Sequence, residues 1–360
     1  MRGHSDAWPT SLRALRANRP PLAKRGARGE LFSAGLEQAE QFWMAANSVG
    51  PETRPLLLFY GLGQAGQALC AAAATKPSAG HGLTFKMVDP LYGEQADLGE
   101  VMIAPNGAGL ATEVASIRKS PLLQEPVSLG RLIGALGYFA STVVPSAGDT
   151  NRLEVMGGES GAQRNPHTSP ATGELTLSPV PAHLTTRDGQ VDVGYPGVGR
   201  RTGAAPGVEE IREWLRPYPA LAKLGTPRHV SEPWSYPYGS SSITVTWDVS
   251  GDGKAGTQAQ WVRSILDVVS AEHGPSGSPY GEVLPGVGGN DSAQDPLVTW
   301  WLVLYGLSNL VRYHPAAWRA TLDVDKSTLA VPLEQLVSFA SEKVPDLLFE
   351  AFVDLGGGRQ

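Results

Sequence analysis

Between Asp295 and His314 the chain places Leu297, Trp300, Trp301, Val303, Leu304, Leu307, Leu310 and Val311 at spacings that cover nearly every side of a helix. A helix at a protein surface buries one stripe, whereas one that is apolar all round has to be covered on more than one face. Residues 297–311 are too few for the roughly 20 needed to cross a bilayer and include Thr299, Ser308 and Asn309, so the segment reads as a buried core helix. Its limits are written locally. Asp295-Pro296 sets an acceptor before a proline at the first helical position, and His314-Pro315 stops the helix, because the residue before proline is driven out of helical geometry.

Covering such a helix requires partners, and both ends of the chain supply them. Leu36, Ala39, Phe42, Trp43 and Ala46 recur at steps of three and four, which predicts an amphipathic helix. Pro332 opens another, with Leu333, Leu336, Val337, Ala340 and Val344 on one stripe; Pro345 is expected to kink or divide it before Leu347, Leu348 and Phe352. Residues 54–75 admit two readings. One is a single helix whose Gly63, Ala65, Gly66 and Ala68 let a neighbour approach closely. The other is a strand, a glycine turn and a helix, since Gly61-Leu62-Gly63-Gln64-Ala65-Gly66 is a formal GxGxxG and Asp89 closes a second apolar run that starts at Leu83. Only the second would cradle a dinucleotide and support an NAD(P)-dependent oxidoreductase, and no βαβ alternation follows to complete a parallel sheet.

The middle of the chain is different in kind. Periodicity weakens after Leu83, apart from Leu129, Leu132, Ile133, Leu136 and Phe139, a helix that Ser128 can cap. Residues 146–170 are rich in Gly, Ser, Asn and Pro and are expected to form a loop. Short strands are predicted at Leu175-Thr176-Leu177, at residues 183–186, at Val191-Asp192-Val193 after an Asp-Gly turn, and at residues 243–247, with helices near residues 208–215 and 259–269. The expected fold is therefore α+β: a mainly helical core formed by N- and C-terminal helices, with a β-containing, loop-rich middle insertion. The boundaries implied are a basic, flexible arm over 1–30, the N-terminal part of the core over 31–145, the insertion over 146–285, and the C-terminal part of the core over 286–360.

Composition narrows the function classes. The 360 residues predict about two domains, and 29 Lys and Arg against 35 Asp and Glu leave a net charge of −6, too acidic for a whole-surface nucleic-acid or membrane binder. The basic arm, with Arg13, Arg16, Arg19, Lys24, Arg25 and Arg28, could still touch RNA or the acidic face of a protein partner. It lacks the apolar run of a secretory signal, and the single cysteine, Cys70, suits a reducing interior, so a cytoplasmic location is expected. No membrane association is expected, and surplus apolar surface on the residue 297–311 helix could serve a homodimer.

The end segments carry a resemblance. Ala39-Glu40-Gln41-Phe42-Trp43, residues 54–62 and His81-Gly82-Leu83 at one end resemble the YaaC-like family of bacterial proteins. So do residues 284–290, Trp300-Trp301, Tyr305-Gly306-Leu307-Ser308, Arg312-Tyr313, Pro315-Ala316-Ala317-Trp318 and residues 322–327 at the other. The resemblance implies helical ends brought together around a more variable middle and brings no reaction with it. Residues 60–83 are also similar to the first helical pair of HEPN-type domains, many of which are ribonucleases. Those carry an arginine followed, after four to six intervening residues, by a histidine on a late helix, and none of the seven histidines here has an arginine five to seven positions before it. Here Ser308 stands where that arginine would precede His314.

Asn309, Arg312 and His314, joined by His81 if the ends pack together, form the constellation for any chemistry. A histidine near neutral pKa moves a proton, and an arginine neutralises a phosphate or a developing oxyanion. Metal-independent RNA cleavage needs those two roles; the purely structural alternative is a pair of cations at a helix C-terminus. Asp248-Val249-Ser250-Gly251-Asp252-Gly253-Lys254 begins like a calcium loop, but Ala259 stands where a bidentate Glu should, so it reads as a polar turn. Neither a cofactor nor a metal is called for. A helical binding protein is the leading expectation, with catalysis left open.

Overall fold

A computed structural model of the chain describes residues 9–87, 94–136, 152–157, 172–185, 200–201, 204–235, 241–248, 258–273 and 279–356. The chain divides into two units, the first made of residues 1–148, 287–290 and 294–360 and the second of residues 149–286 and 291–293. The fold is α+β, with the helices concentrated in the N- and C-terminal parts.

The first unit holds, numbered in chain order, α1 (Thr10–Leu15), a 3₁₀ turn (Pro21–Ala23), α2 (Gly26–Asn47), α3 (Arg54–Ala73), β1 (Leu83–Lys86), β2 (Met102–Pro105), α4 (Leu110–Ile117), β3 (Val127–Ser128) and α5 (Leu129–Gly134). After the second unit come α10 (Pro296–Tyr313), α11 (Pro315–Thr321) and α12 (Ala330–Leu355). The helix that is apolar all round, α10, is at the centre. Residues 297–310 are all buried, packed by α3, α4, α5, α11, α12 and β2. Its surplus apolar surface is thus covered within the chain. Its start is as the sequence dictates: Pro296 at the first position and the Asp295 carboxylate accepting from the Leu297 amide at 2.9 Å.

Residues 54–73 form one continuous helix, so the GxGxxG segment lies inside α3, and β1, β2 and β3 that follow pair antiparallel. This corrects the dinucleotide-binding alternative, and the reason is packing. A methyl at Gly61 would stand 2.7 Å from the Trp43 ring and one at Gly66 would stand 2.5 Å from Trp301, so two of the glycines admit indole rings where a phosphate was considered. Asp89 lies outside the described residues. By length and composition α3 could also cross a membrane, but 61% of its apolar window is buried in the fold, as in a core helix. Trp43 donates to the Ser341 carbonyl at 2.8 Å and Trp318 to the Glu52 carbonyl at 3.1 Å, tying N-terminal to C-terminal helices.

The segment after Val287 has a structural role. Gly288 and Gly289 adopt φ of +61° and +79°, and the Gly288 carbonyl receives the amides of Gln124 and Glu125 at 2.8 and 3.1 Å. The Asn290 side chain donates to the carbonyls of Leu122 and Val287 and accepts from Gln124, so its amide is committed to holding chain segments together.

Within the first unit some expectations shift. Within the stretch expected to be a flexible arm, Thr10–Leu15 and Pro21–Ala23 are helical and α2 has already begun. Arg13 pairs with the buried Glu40 and Arg16 with Glu37 at 2.8 Å, and α2 begins at Gly26, ten residues before the first clear periodicity. Pro345 sits inside an α12 that stays one helix of 26 residues. The Ser128 cap is present, its hydroxyl accepting from the Arg131 amide at 3.3 Å; the helix it starts ends at Gly134, short of the expected Leu136, and Phe139 lies outside the described residues.

The second unit contains β4 (Leu153–Gly157), β5 (Thr172–Ser178), α6 (Ala182–Thr185), β6 (Arg200–Arg201), α7 (Val208–Leu215), α8 (Pro219–Ala222), β7 (His229–Val230), β8 (Trp234–Ser235), β9 (Ile243–Asp248), α9 (Gln258–Ile265), β10 (Val268–His273) and β11 (Pro279–Val283). Six strands form an antiparallel sheet in the order β10-β11-β4-β5-β9-β7, and β6 pairs with β8. Burial alternates along β4, β5 and β9, which sets Val155, Leu175, Leu177, Ile243, Val245 and Trp247 in one core. Gly173 leaves room for the Trp261 ring, 2.4 Å from where a methyl would be.

Three readings of the middle need correction. β4 lies within the stretch expected to be loop; its alternation is only five residues long. Residues 182–185 form a helical turn instead of a strand, because Pro181 has no amide for a ladder and its carbonyl takes the Leu184 amide. The helix expected over 259–269 ends at Ile265, and Val268-Val269 joins the sheet. Asp248 ends β9 and pairs with Arg228 at 2.9 Å. The remainder of the calcium-like turn and residues 191–193 lie outside the described residues.

The glycine packing is testable. Gly63, whose added methyl would meet nothing within 4 Å, should gain about 0.5–1 kcal/mol on replacement by alanine. Gly66→Ala should lose about 1–3 kcal/mol from overpacking. Thermal unfolding followed by helical circular dichroism should give opposite signs for the two.

Candidate functional site

At the C-terminal end of α10 the first unit brings three of the four sequence-proposed residues together. Gly80 and Gly82, at φ of +80° and +74°, turn the chain so that the carbonyls of Gly80 and His81 face α4, accepting from the Leu110 and Ala111 amides at 3.0 and 3.2 Å, while the Gly82 carbonyl accepts from the Asn106 amide at 2.9 Å. Gly109 sits so close that a methyl on it would be 1.9 Å from the Gly82 nitrogen. The turn is therefore fixed by α4, and it carries the His81 ring to Phe59 of α3 and Tyr305 of α10, with centroids at 5.3 and 5.6 Å.

Tyr305 is the hinge of the arrangement. Its hydroxyl donates to the Leu83 carbonyl at 3.0 Å, and its own carbonyl accepts from Asn309 Nδ2 at 2.7 Å. About two turns beyond Tyr305, Arg312 sets its guanidinium 6.0 Å from the centroid of Tyr60 and 4.9 Å from that of Tyr313. Tyr60 in turn leans on Phe42 of α2 at 5.7 Å. His314 is placed differently. It ends α10 and faces Phe85 at 5.6 Å, farther along β1. The nine residues from Tyr305 to His314 rise about 13 Å as helix, and the four from His81 to Phe85 extend about 13 Å as strand, so the two elements keep step.

Asn309 and Tyr305 are buried, whereas His81, Tyr60, Arg312 and Tyr313 are open to solvent on one side. Partial burial between the two rings, and then the charge of Arg312, hold His81 below its ordinary 6.5, so its ring is neutral at pH 7. Burial, followed by the neighbouring Tyr313, pushes the Tyr305 hydroxyl up and keeps it a hydrogen-bond donor. The site thus combines a neutral imidazole, a fixed cation and exposed aromatic faces. Cys70 is buried and its thiol is pushed up by burial, which keeps it unreactive. Among the described residues no three His, Cys, Asp or Glu side chains stand together as metal ligands.

Of the residues proposed from sequence, the structure brings His81, Asn309 and Arg312 together and sets His314 apart; Tyr60, Tyr305 and Tyr313, which stand among them, were not proposed. Tyr313, adjacent to Arg312 at a helix end, was a usable signal. Tyr60 had none, because its exposure follows from how α2 and α10 flank α3.

A pH titration checks this geometry. The His81 imidazole signal in NMR should titrate below 6.5, and Arg312→Gln should raise the midpoint by removing a repelling charge. Because the folded pKa is depressed, the unfolded chain takes up the proton first on acidification. The contribution of His81 to stability is therefore full above 6.5 and falls as pH drops toward the folded midpoint.

A family model described as YaaC-like Protein matches residues 13–153 and 283–352, more than half of the chain. Every residue of the site falls inside the matched segments, and nearly all of the second unit falls outside them. No curated protein and no solved structure matches the chain.

Proposed function

From the premise that this chain belongs to the YaaC-like family, we propose that it is a binding protein whose site at the end of α10 takes an anionic ligand with a flat ring, a nucleotide in its simplest form. The observation that carries the reading is the Arg312 guanidinium poised between the exposed rings of Tyr60 and Tyr313, beside His81. Arginine pairs with phosphate oxygens and aromatic faces stack on bases, so the set addresses both halves of a nucleotide at once. Asn309 and Tyr305, held by internal hydrogen bonds, position the exposed groups.

The test is titration with UMP and AMP, read by the His81 and tyrosine ring signals in NMR. Binding should weaken about tenfold in Tyr60→Ala and in Arg312→Gln, consistent with about 1–3 kcal/mol per stacked base. Unchanged spectra at saturating nucleotide would overturn the reading.

A second reading is metal-independent RNA cleavage, favoured by a neutral His81 beside Arg312. His81 would take the proton of a 2′-hydroxyl as its oxygen attacks phosphorus, Arg312 would neutralise the charge gathered on the phosphoryl oxygens, and the departing 5′-oxygen would receive a proton from the imidazolium. His81 then fills the role that the sequence offered to His314. Cleavage of RNA in EDTA, abolished by His81→Gln, is the outcome expected on this reading; intact RNA with nucleotide binding retained would leave binding alone.

A further inference from the structure

Away from the site just described, the α2 and α3 pair carries a second concentration of positive charge. Lys24, Arg25 and Arg28 at the start of α2 are exposed, with no acidic partner among the described residues, and Arg19 beside them donates to the Arg16 carbonyl at 3.3 Å. Leu22 in the adjoining 3₁₀ turn is 53% exposed, and that turn packs against α3. Arg13 and Arg16, by contrast, are neutralised by Glu40 and Glu37 on another flank of α2. In a chain of net charge −6, a cluster of unpaired cations stands out.

What lies between this cluster and the aromatic site favours a connection. With 100° per residue, Arg28, Leu31, Gln38 and Phe42 fall within a quarter turn on the α3 side of α2, whereas Glu30 and Glu37 lie about a third of a turn or more from Phe42. Gly35 meets Gln64 and Ala68, and Phe42 meets Tyr60, so this side of α2 runs along α3. The open side of α3 presents Tyr60, Gly63, Gln64 and Gln67, and the space over Gly63 is empty. The seam carries amides, small residues and rings, with no carboxylate, and has cations at both ends. Arg28 and Phe42 are about 21 Å apart along the helix axis, the length of about six stacked nucleotides.

We infer that the α2–α3 seam is a track for a single-stranded polynucleotide, with bases stacked at Tyr60 and Phe42 and the backbone led to Lys24, Arg25 and Arg28. This rests on the nucleotide reading of the aromatic site and names its ligand as a strand. A single strand fits because bases are needed at one end and phosphates at the other, and a duplex hides its base faces.

Fluorescein-labelled oligo-U and oligo-dT of two and eight nucleotides, with an eight-pair duplex, are titrated into the full chain by anisotropy. The octamer should bind at least about tenfold tighter than the dinucleotide. In Lys24→Gln/Arg25→Gln/Arg28→Gln the octamer should fall to dinucleotide affinity while the dinucleotide is unchanged. The slope of log affinity against log salt should flatten by about 2 for three lost phosphate contacts. The U and dT arms report whether the sugar matters. Equal binding of the octamer and dinucleotide, octamer affinity retained in the triple variant, or equal binding of the duplex would each overturn the track while leaving the nucleotide site standing. If Tyr60→Ala changes neither oligomer, both the site reading and the track fall.

Discussion

Everything in the first unit is arranged around one constraint: α10 is apolar on all sides and has to be kept from water on all of them. Helices from both ends of the chain, together with β2, do this. The hydrophobic gain from a helix of this kind is large only if its neighbours approach closely, and the chain secures that with glycine. Gly66 admits the Trp301 ring, and Gly61 admits the Trp43 ring that locks α2 to α3. Substituting small residues for bulk on α3 converts surface into fit, which is where the last increments of stability and a single defined packing come from.

The site arises where that burial stops. Through Leu310 the helix is enclosed, and in the next turn Arg312 and Tyr313 emerge into solvent beside Tyr60 and His81. A helix C-terminus favours a cation, and the packed residues behind it, Tyr305 and Asn309, are fixed by hydrogen bonds. Rigid support with exposed functional tips is what recognition requires, since little ordering entropy remains to be lost on binding. The second unit contributes its own sheet and core and lies mostly outside the segments the family model matches.

The fold class was legible because its signals are local and redundant: apolar periodicity in α2, α10 and α12, an Asp-Pro start, a His-Pro stop. The site was legible in part. Asn309 and Arg312 share a helix with fixed spacing, and His81 was suspected from the expectation that the ends meet. Where reading failed, the competing cause was tertiary. The buried stripe of α2 begins before Leu36, at Gly29 and Phe32, and was missed because Gly29 packs against the Pro21–Ala23 turn by close approach and so leaves only Phe32 as a large buried residue to announce the first turns. β4 was hidden in a Gly- and Ser-rich stretch because a five-residue strand gains its stability from β5 and β11 on either side. The Pro345 position, disruptive in isolation, is overruled by packing along both halves of α12.

Sequence alone determined that a long all-round apolar helix needs a helical envelope, where that helix starts and stops, and that residues 243–247 alternate as a strand, because dihedral preference, capping and periodicity act within a few residues. Whether Gly61 and Gly66 would face a phosphate or indole rings was decided only by the tertiary structure, since strand–turn–helix and continuous helix satisfy the same local rules and differ in what lies across from them. The same holds for Tyr60. Its ring meets Arg312 from 252 residues away in the chain, and such a contact is set by how α2, α3 and α10 pack, which no local pattern encodes.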